Sequence, residues 1–136
     1  MHVLRTESRA AILADMRAGR CCVACLCAAW CHVCNDFRTQ FDALAVVHPE
    51  ILFVWIDIED QAEVAEAYDV ENFPTLLIQR DAQVLFFGAI EPDGAGTARL
   101  IQAVTRGGYT PAASLSQAHL DLAAHLDPAA RLAASD

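Results

Sequence analysis

Lysine is absent from this chain: all nine basic residues are arginines, set against 18 acidic ones, for a formal net charge of −9. A nucleic-acid or anionic-membrane partner requires a basic face, which this balance does not supply. Neutral or basic partners suit it better. A continuous apolar segment near the start is also missing. Met1 to Arg20 alternates charged and apolar residues, so no secretory leader is expected. The longest nearly uncharged stretch, Cys21 to Val33, is too short to cross a bilayer and is interrupted by His32, which excludes membrane insertion. Internal repeats and a Gly-rich dinucleotide fingerprint are lacking, so no resident nicotinamide, flavin or other cofactor is expected. Six cysteines without a leader predict a reducing, cytoplasmic setting in which most thiols stay free.

What is present suffices for one hydrophobic core. The chain has 136 residues, 55% of them hydrophobic, which argues against disorder. Thr6 can cap a helix running to about Ala18, with Ile12, Leu13 and Met16 on one face and Gly19 as its stop. Cys22 to Ala29 reads as a short buried strand. From Cys31 the period becomes helical, with Phe37, Phe41, Leu44 and Ala45 in a stripe that ends at His48-Pro49. Ile51 to Ile58 is a β-branched apolar run, as expected of a central parallel strand. Asp60-x-x-Glu63 has the form of a capping box opening a helix through Tyr68. Thr75 to Gln79 and Gln83 to Phe87 flank Asp81-Ala82 as a hairpin, and Thr97 to Arg106 forms a last amphipathic helix. This order gives an α/β fold, a mixed central sheet of four to five strands with helices on both faces. Residues 1–108 make up that domain. Residues 109–136 are an alanine-rich C-terminal extension, helical or disordered, with one candidate helix over 115–126.

Chemistry concentrates at Trp30-Cys31-His32-Val33-Cys34. A cysteine at a helix N-terminus faces unpaired N–H groups and the positive end of the macrodipole, which lowers a thiol pKa below its free value of about 8.5. Cys34 lies one turn further on, close enough to form a disulfide. Half a zinc site would have the same spacing, so context decides. The neighbouring Cys21, Cys22, Cys25 and Cys27 also invite a metal reading. Alternate residues of a strand stand about 6–7 Å apart and no knuckle turn is present, so they read as small buried apolar side chains.

The motif between a buried strand and a long helix resembles the thioredoxin-fold family, over about four-fifths of the chain. Trp30-Cys31-x-x-Cys34, Phe73-Pro74-Thr75 and Gly88-Ala89 carry the resemblance. It implies that Cys31 is the nucleophile attacking a substrate disulfide, that Cys34 resolves the mixed disulfide, and that a Cys31–Cys34 disulfide is the redox pair. Trp30 would cover the site. Pro74, in cis, would bring the Phe73 backbone beside the sulfurs to pair with an extended substrate chain. The family's buried carboxylate falls on Cys25, its lysine partner on Trp55, its helix-kinking proline on Thr39, and its Gly-Pro pair on His32-Val33. His32 adjoins the nucleophile, where an imidazolium would stabilise a thiolate. Phe73 is either a packing residue or a wall of the substrate groove.

Asp57, Glu59, Asp60, Glu63 and Glu66 read as a solvated acidic face, and His2, His48, His119 and His125 have no ligand spacing. The expected function is a protein-disulfide reductase or related thiol–disulfide oxidoreductase in cell redox homeostasis. Its substrates would be disulfide-containing proteins or small molecules, and a separate electron donor or acceptor protein would complete the cycle. The alternatives are a binding or chaperone-like module on the same fold with little turnover, and a metal or iron–sulfur carrier using the cysteine cluster.

Overall fold

Alternation of side chains along a central strand sorts the core into two layers. The computed structural model describes residues 1–106 and 120–127. Its five strands are β1 (His2–Val3), β2 (Cys22–Cys27), β3 (Leu52–Asp57), β4 (Thr75–Arg80) and β5 (Gln83–Ala89), arranged β1-β3-β2-β4-β5. β2 and β1 run parallel to β3, whereas β4 is antiparallel to both β2 and β5. The helices are α1 (Arg9–Arg17), α2 (His32–Val47), α3 (Ala62–Glu66), α4 (Gly94–Thr105) and α5 (Leu122–Leu126).

Successive strand residues point to opposite faces. Cys22, Ala24 and Leu26 therefore join Leu52, Val54, Ile56 and Leu77 beneath Ile12 and Met16 of α1 and Val64 of α3. Cys21, Val23, Cys25 and Cys27 face the other way, with Phe53, Trp55, Leu76 and Ile78, against Phe37 and Phe41 of α2 and Ile101 and Val104 of α4. This is the expected mixed sheet with helices on both faces. Leu120, Leu122 and Leu126 belong to the first layer, and the Tyr68 hydroxyl donates to the Leu120 carbonyl at 2.9 Å. The boundary expected at Gly108 and the start of the helix expected over 115–126 lie outside the described residues.

Several element ends differ from expectation, each for a local reason. Thr6 caps no helix: Thr6–Ser8 form a 3-10 turn, and Ser8 Oγ accepts from the Arg5 N–H at 2.9 Å. Gly19 does end α1, with φ +95° in the left-handed region and its N–H donating to the Met16 carbonyl at 3.1 Å. β2 stops at Cys27 because Ala28 begins the turn into α2; the Cys31 N–H donates to the Ala28 carbonyl at 3.1 Å. The Asp60 capping box does not form. Asp57 Oδ1 instead accepts from the Glu59 and Asp60 N–H groups at 2.8 and 3.1 Å, and α3 starts after Gln61. α4 begins three residues before Thr97, at a cap whose Asp93 carboxylate accepts from Ala95 and Gly96. Gly94-Ala95-Gly96 carries no apolar stripe, so periodicity alone could not reveal that first turn. β1 is two residues long, too short for a periodic pattern.

Candidate active site

α2 opens directly onto the end of β2, and that junction sets the site. Cys31 is the N-cap residue of α2, with extended φ and ψ of −87° and 117°, and the helix proper starts at His32. Asn35 in the first turn donates its side-chain amide to the Ala29 carbonyl at 3.1 Å, tying helix and entry loop together. Of the six cysteines, Cys31 is the one that is not buried. Cys34 points down into the layer of Phe37 and Phe41 and has no exposed surface.

The sulfur pairing departs from the expected one. Cys34 is joined by a disulfide to Cys27, seven residues earlier at the end of β2, with their Cα atoms 5.7 Å apart. Cys31 is a free thiol. Cys27 is therefore not the inert apolar residue its strand context suggests. It shares a sheet face with Cys25 at the end of β2 that leads into α2, so the parity of β2 delivers it to Cys34. Cys25, expected beside Cys34, lies in the same core layer, with its sulfur 3.8 Å from that of Cys27. With Cys27 in a disulfide, the Cys25 S–H is the only donor in that contact. Burial pushes the Cys25 thiol pKa well up and keeps the group protonated. Cys25 is in register with Trp55 on β3 and Leu76 on β4, so an apolar pair stands where the resemblance placed an acid and a lysine. The Trp55 ring is covered by the Arg38 guanidinium, 5.5 Å from its centroid.

Across the site, the Phe73–Pro74 peptide bond is cis. Thr75 Oγ1 donates to the Asn72 carbonyl at 2.6 Å, and the Pro74 carbonyl accepts from the Ile90 N–H at 3.0 Å. Among the described residues, Phe73 N–H and C=O make no backbone hydrogen bond. Trp30 is 61% exposed, meets the Phe73 ring edge-on at 5.7 Å, and donates its indole N–H to Glu59 Oε1 at 2.5 Å. Glu59, exposed as expected of the acidic face, is thus also a hydrogen-bond partner of Trp30. Neither Glu59 nor Asn35 could be singled out from sequence, since each contact joins residues that no pattern relates.

The remaining residues are placed as follows. His32 and Val33 are exposed on the first turn of α2, Val33 at 42%. Gly88 pairs with Leu76 on the edge strand, and a Cβ there would make only ordinary contact with Phe86 at 3.5 Å. Among the described residues, no group of three His, Cys, Asp or Glu side chains could hold a metal ion. No described helix is long and apolar enough to cross a membrane.

Comparison with known proteins identifies relatives of the fold. The profile of the family described as Thioredoxin matches residues 4–106. A thioredoxin of Echinococcus granulosus is 32% identical over 95 residues, covering 68% of this chain and 86% of that one. A thioredoxin H-type of Oryza sativa subsp. indica is 34% identical over 64 residues, 47% of this chain and 52% of that one. For several curated relatives the matched stretch spans about half their length or less. Among solved structures, Fasciola hepatica thioredoxin superposes with a TM-score of 0.67 at 26% identity, covering 77% of this chain and 100% of that one. A poplar thioredoxin h gives a TM-score of 0.67 at 21% identity, over 76% of this chain and 94% of that one.

Proposed function

We propose, from the premise that this chain belongs to the thioredoxin family, that it is a thiol–disulfide oxidoreductase acting through Cys31 and Cys34. The observation that carries the reading is the partly exposed Cys31 thiol at the N-terminus of α2, one turn from Cys34 and next to Trp30. The Cys31 thiolate attacks a substrate disulfide, forms a mixed disulfide and releases one substrate thiol. The Cys34 thiolate then attacks the Cys31 sulfur, releasing the second substrate thiol and leaving a Cys31–Cys34 disulfide. An external dithiol, held by a separate donor protein, returns both cysteines to thiols.

Substrate lies between Trp30, Val33 and the Phe73-Pro74-Thr75 loop. The unused backbone groups of Phe73 pair with an extended stretch of it. His32 follows the attacking cysteine as the first residue of α2, and Gly88 pairs with Leu76 just beyond the loop. Four free thiols out of six cysteines suit a reducing, cytoplasmic compartment and a role in redox homeostasis. The test is reduction of insulin disulfides with dithiothreitol as donor. Wild-type protein turns over, and Cys31→Ser loses more than about 10³-fold, as removal of a nucleophile does. Equal rates for the two would overturn the reading.

A second reading, a binding module with little turnover, draws on the exposed Trp30 and Val33 beside the loop. The same assay separates them, because a pure binder is indifferent to Cys31→Ser in turnover.

A further inference from the structure

We propose that Cys27 is a third redox thiol of this site, which takes Cys34 over from Cys31 after turnover and leaves the nucleophile free while the protein is oxidised. The inference rests on the reading of Cys31 and Cys34 as the reacting pair. Three observations carry it. Cys34 is bonded to Cys27 in the structure, with a Cα separation of 5.7 Å. That value lies inside the disulfide range of about 4.4–6.8 Å. Cys31 and Cys34, three residues apart at a helix start, have Cα atoms about 5 Å apart by helix geometry and satisfy the same range. One sulfur, that of Cys34, therefore has two partners within bonding reach, one at the surface and one fully buried. Third, Cys25 holds an S–H donor 3.8 Å from the Cys27 sulfur. Such a donor stabilises thiolate character on Cys27 when it attacks or leaves.

The transfer is one exchange. The Cys27 thiolate attacks the Cys34 sulfur of the Cys31–Cys34 disulfide; the Cys27–Cys34 bond forms, the Cys31–Cys34 bond breaks, and the electron pair leaves on Cys31. No external oxidant enters. Summed with the two substrate steps, a substrate disulfide becomes two thiols while the Cys27 and Cys34 thiols become one disulfide. Cys31 ends as it began. Resetting runs in reverse: the Cys31 thiolate attacks Cys34, Cys27 leaves and takes a proton, and the exposed Cys31–Cys34 bond is reduced by the external dithiol. Cys27 has no exposed surface, so a protein reductant reaches it only through that exchange. The oxidised form thus still presents a free Cys31, able to capture a second disulfide as a mixed disulfide.

The test is a single turnover of the full chain. Fully reduced protein is mixed with excess insulin as the disulfide probe, quenched in acid, alkylated and mapped by peptide mass spectrometry. The expected product is a Cys27–Cys34 bridge with Cys31 either alkylated or held in a mixed disulfide with insulin. In Cys27→Ser the expected bridge is Cys31–Cys34, and labelling of Cys31 in the oxidised native protein falls from about one per chain to none, since a disulfide sulfur does not alkylate. A wild-type map showing Cys31–Cys34 with Cys27 alkylated overturns the inference and leaves the oxidoreductase reading standing. A Cys27–Cys34 bridge that forms as fast in Cys31→Ser also overturns it, because transfer through Cys31 would then play no part. If no cysteine is oxidised and no insulin is reduced, the oxidoreductase reading fails and the inference with it. The wild-type map decides even where Cys27→Ser does not fold.

Discussion

Cys22 and Cys27 begin and end the same strand, are equally buried, and have different neighbours. Cys22 faces the layer of α1, α3 and α5, among aliphatic side chains such as Leu52 and Leu77. Cys27 faces the layer of α2 and α4, where it meets Cys25 and bonds Cys34. Both have no exposed surface. Burial by itself therefore says little about whether a cysteine is chemically engaged; the sheet face on which it lies decides. On one face of this sheet Cys22 stands alone among mostly hydrocarbon side chains that hold the fold together. The other has a row of sulfur running from the interior towards the surface at Cys31.

The strongest way to break that comparison is alkylation of the reduced native protein near neutral pH. Cys31 should react at least about 10³-fold faster than Cys22 or Cys25, since a buried thiol reacts only through local opening that costs several kcal/mol. Label appearing first on Cys22 would show that the two faces are equally accessible, and label appearing first on Cys34 would move the nucleophile.

The next largest effect separates stability from chemistry. Phe41 packs against Phe37, Phe53 and Trp55 on the sulfur-bearing face, with ring centroids 5.2–6.0 Å apart. Phe41→Ala should cost about 3–5 kcal/mol and Leu122→Ala, on the opposite face, about 2–5 kcal/mol. Urea titration measures both. Only Phe41→Ala should also lower insulin reduction in protein that remains folded, because α2 carries Cys31 and Cys34 on the layer it supports. Equal activity losses in the two would mean that the faces are not independent. A smaller effect sharpens the same point. Cys22→Ala should destabilise by about 1–2 kcal/mol through loss of a buried side chain, while the disulfide map and the insulin rate stay as in wild type. A changed map would place Cys22 in the exchange network.

How much of this was legible beforehand follows from the ranges involved. The helix from Cys31 to the turn at His48 could be read because an apolar stripe, a cap position and a proline stop agreed within one short window. β3 was clear from a single apolar run. Cys31, Cys34 and the Phe73-Pro74 loop stand out in the sequence through motif resemblance, and the loop adjoins the end of β2 because β2 and β4 are neighbours, with Leu26 in register with Thr75. Cys27 reads as an inert apolar residue in the sequence because its partner depends on which face α2 covers. Parity did hold a clue: Cys25 and Cys27 share a face, and so do the Phe37 and Phe41 stripe and Trp55. Combining strand parity with the placement of one helix would have found it. The indole contact from Trp30 to Glu59 spans 29 residues between two loops, and no local pattern encodes that distance.

The finest distinction lies in the alkaline limb of stability, and it draws one thiol from each face into a common test. Burial raises the pKa values of Cys22 and Cys25 in the folded protein; Cys21 also raises the Cys22 value, and Arg20 partly opposes it. In the unfolded chain both thiols ionise near pH 8.5. The folded state then binds more protons than the unfolded state above that pH. The contribution of each thiol to stability is fully present below the unfolded value and is lost as pH rises from there towards the folded value. The loss approaches about 1.4 kcal/mol per pH unit for each thiol. Urea titrations of reduced protein from pH 8 to 10 should show this decline. Cys22→Ala and Cys25→Ala should each remove one thiol's share of the slope, although one lies under α1 and the other beside the sulfurs of the site. Cys21 behaves in the same direction, with Arg80 partly opposing its burial, and so steepens the wild-type and variant curves alike. If Cys25→Ala leaves the slope unchanged while Cys22→Ala flattens it, the Cys25 thiol is not held protonated by its surroundings. It would then be a thiolate available for exchange with Cys27, and the division between inert and engaged cysteines would shift one residue further into the core.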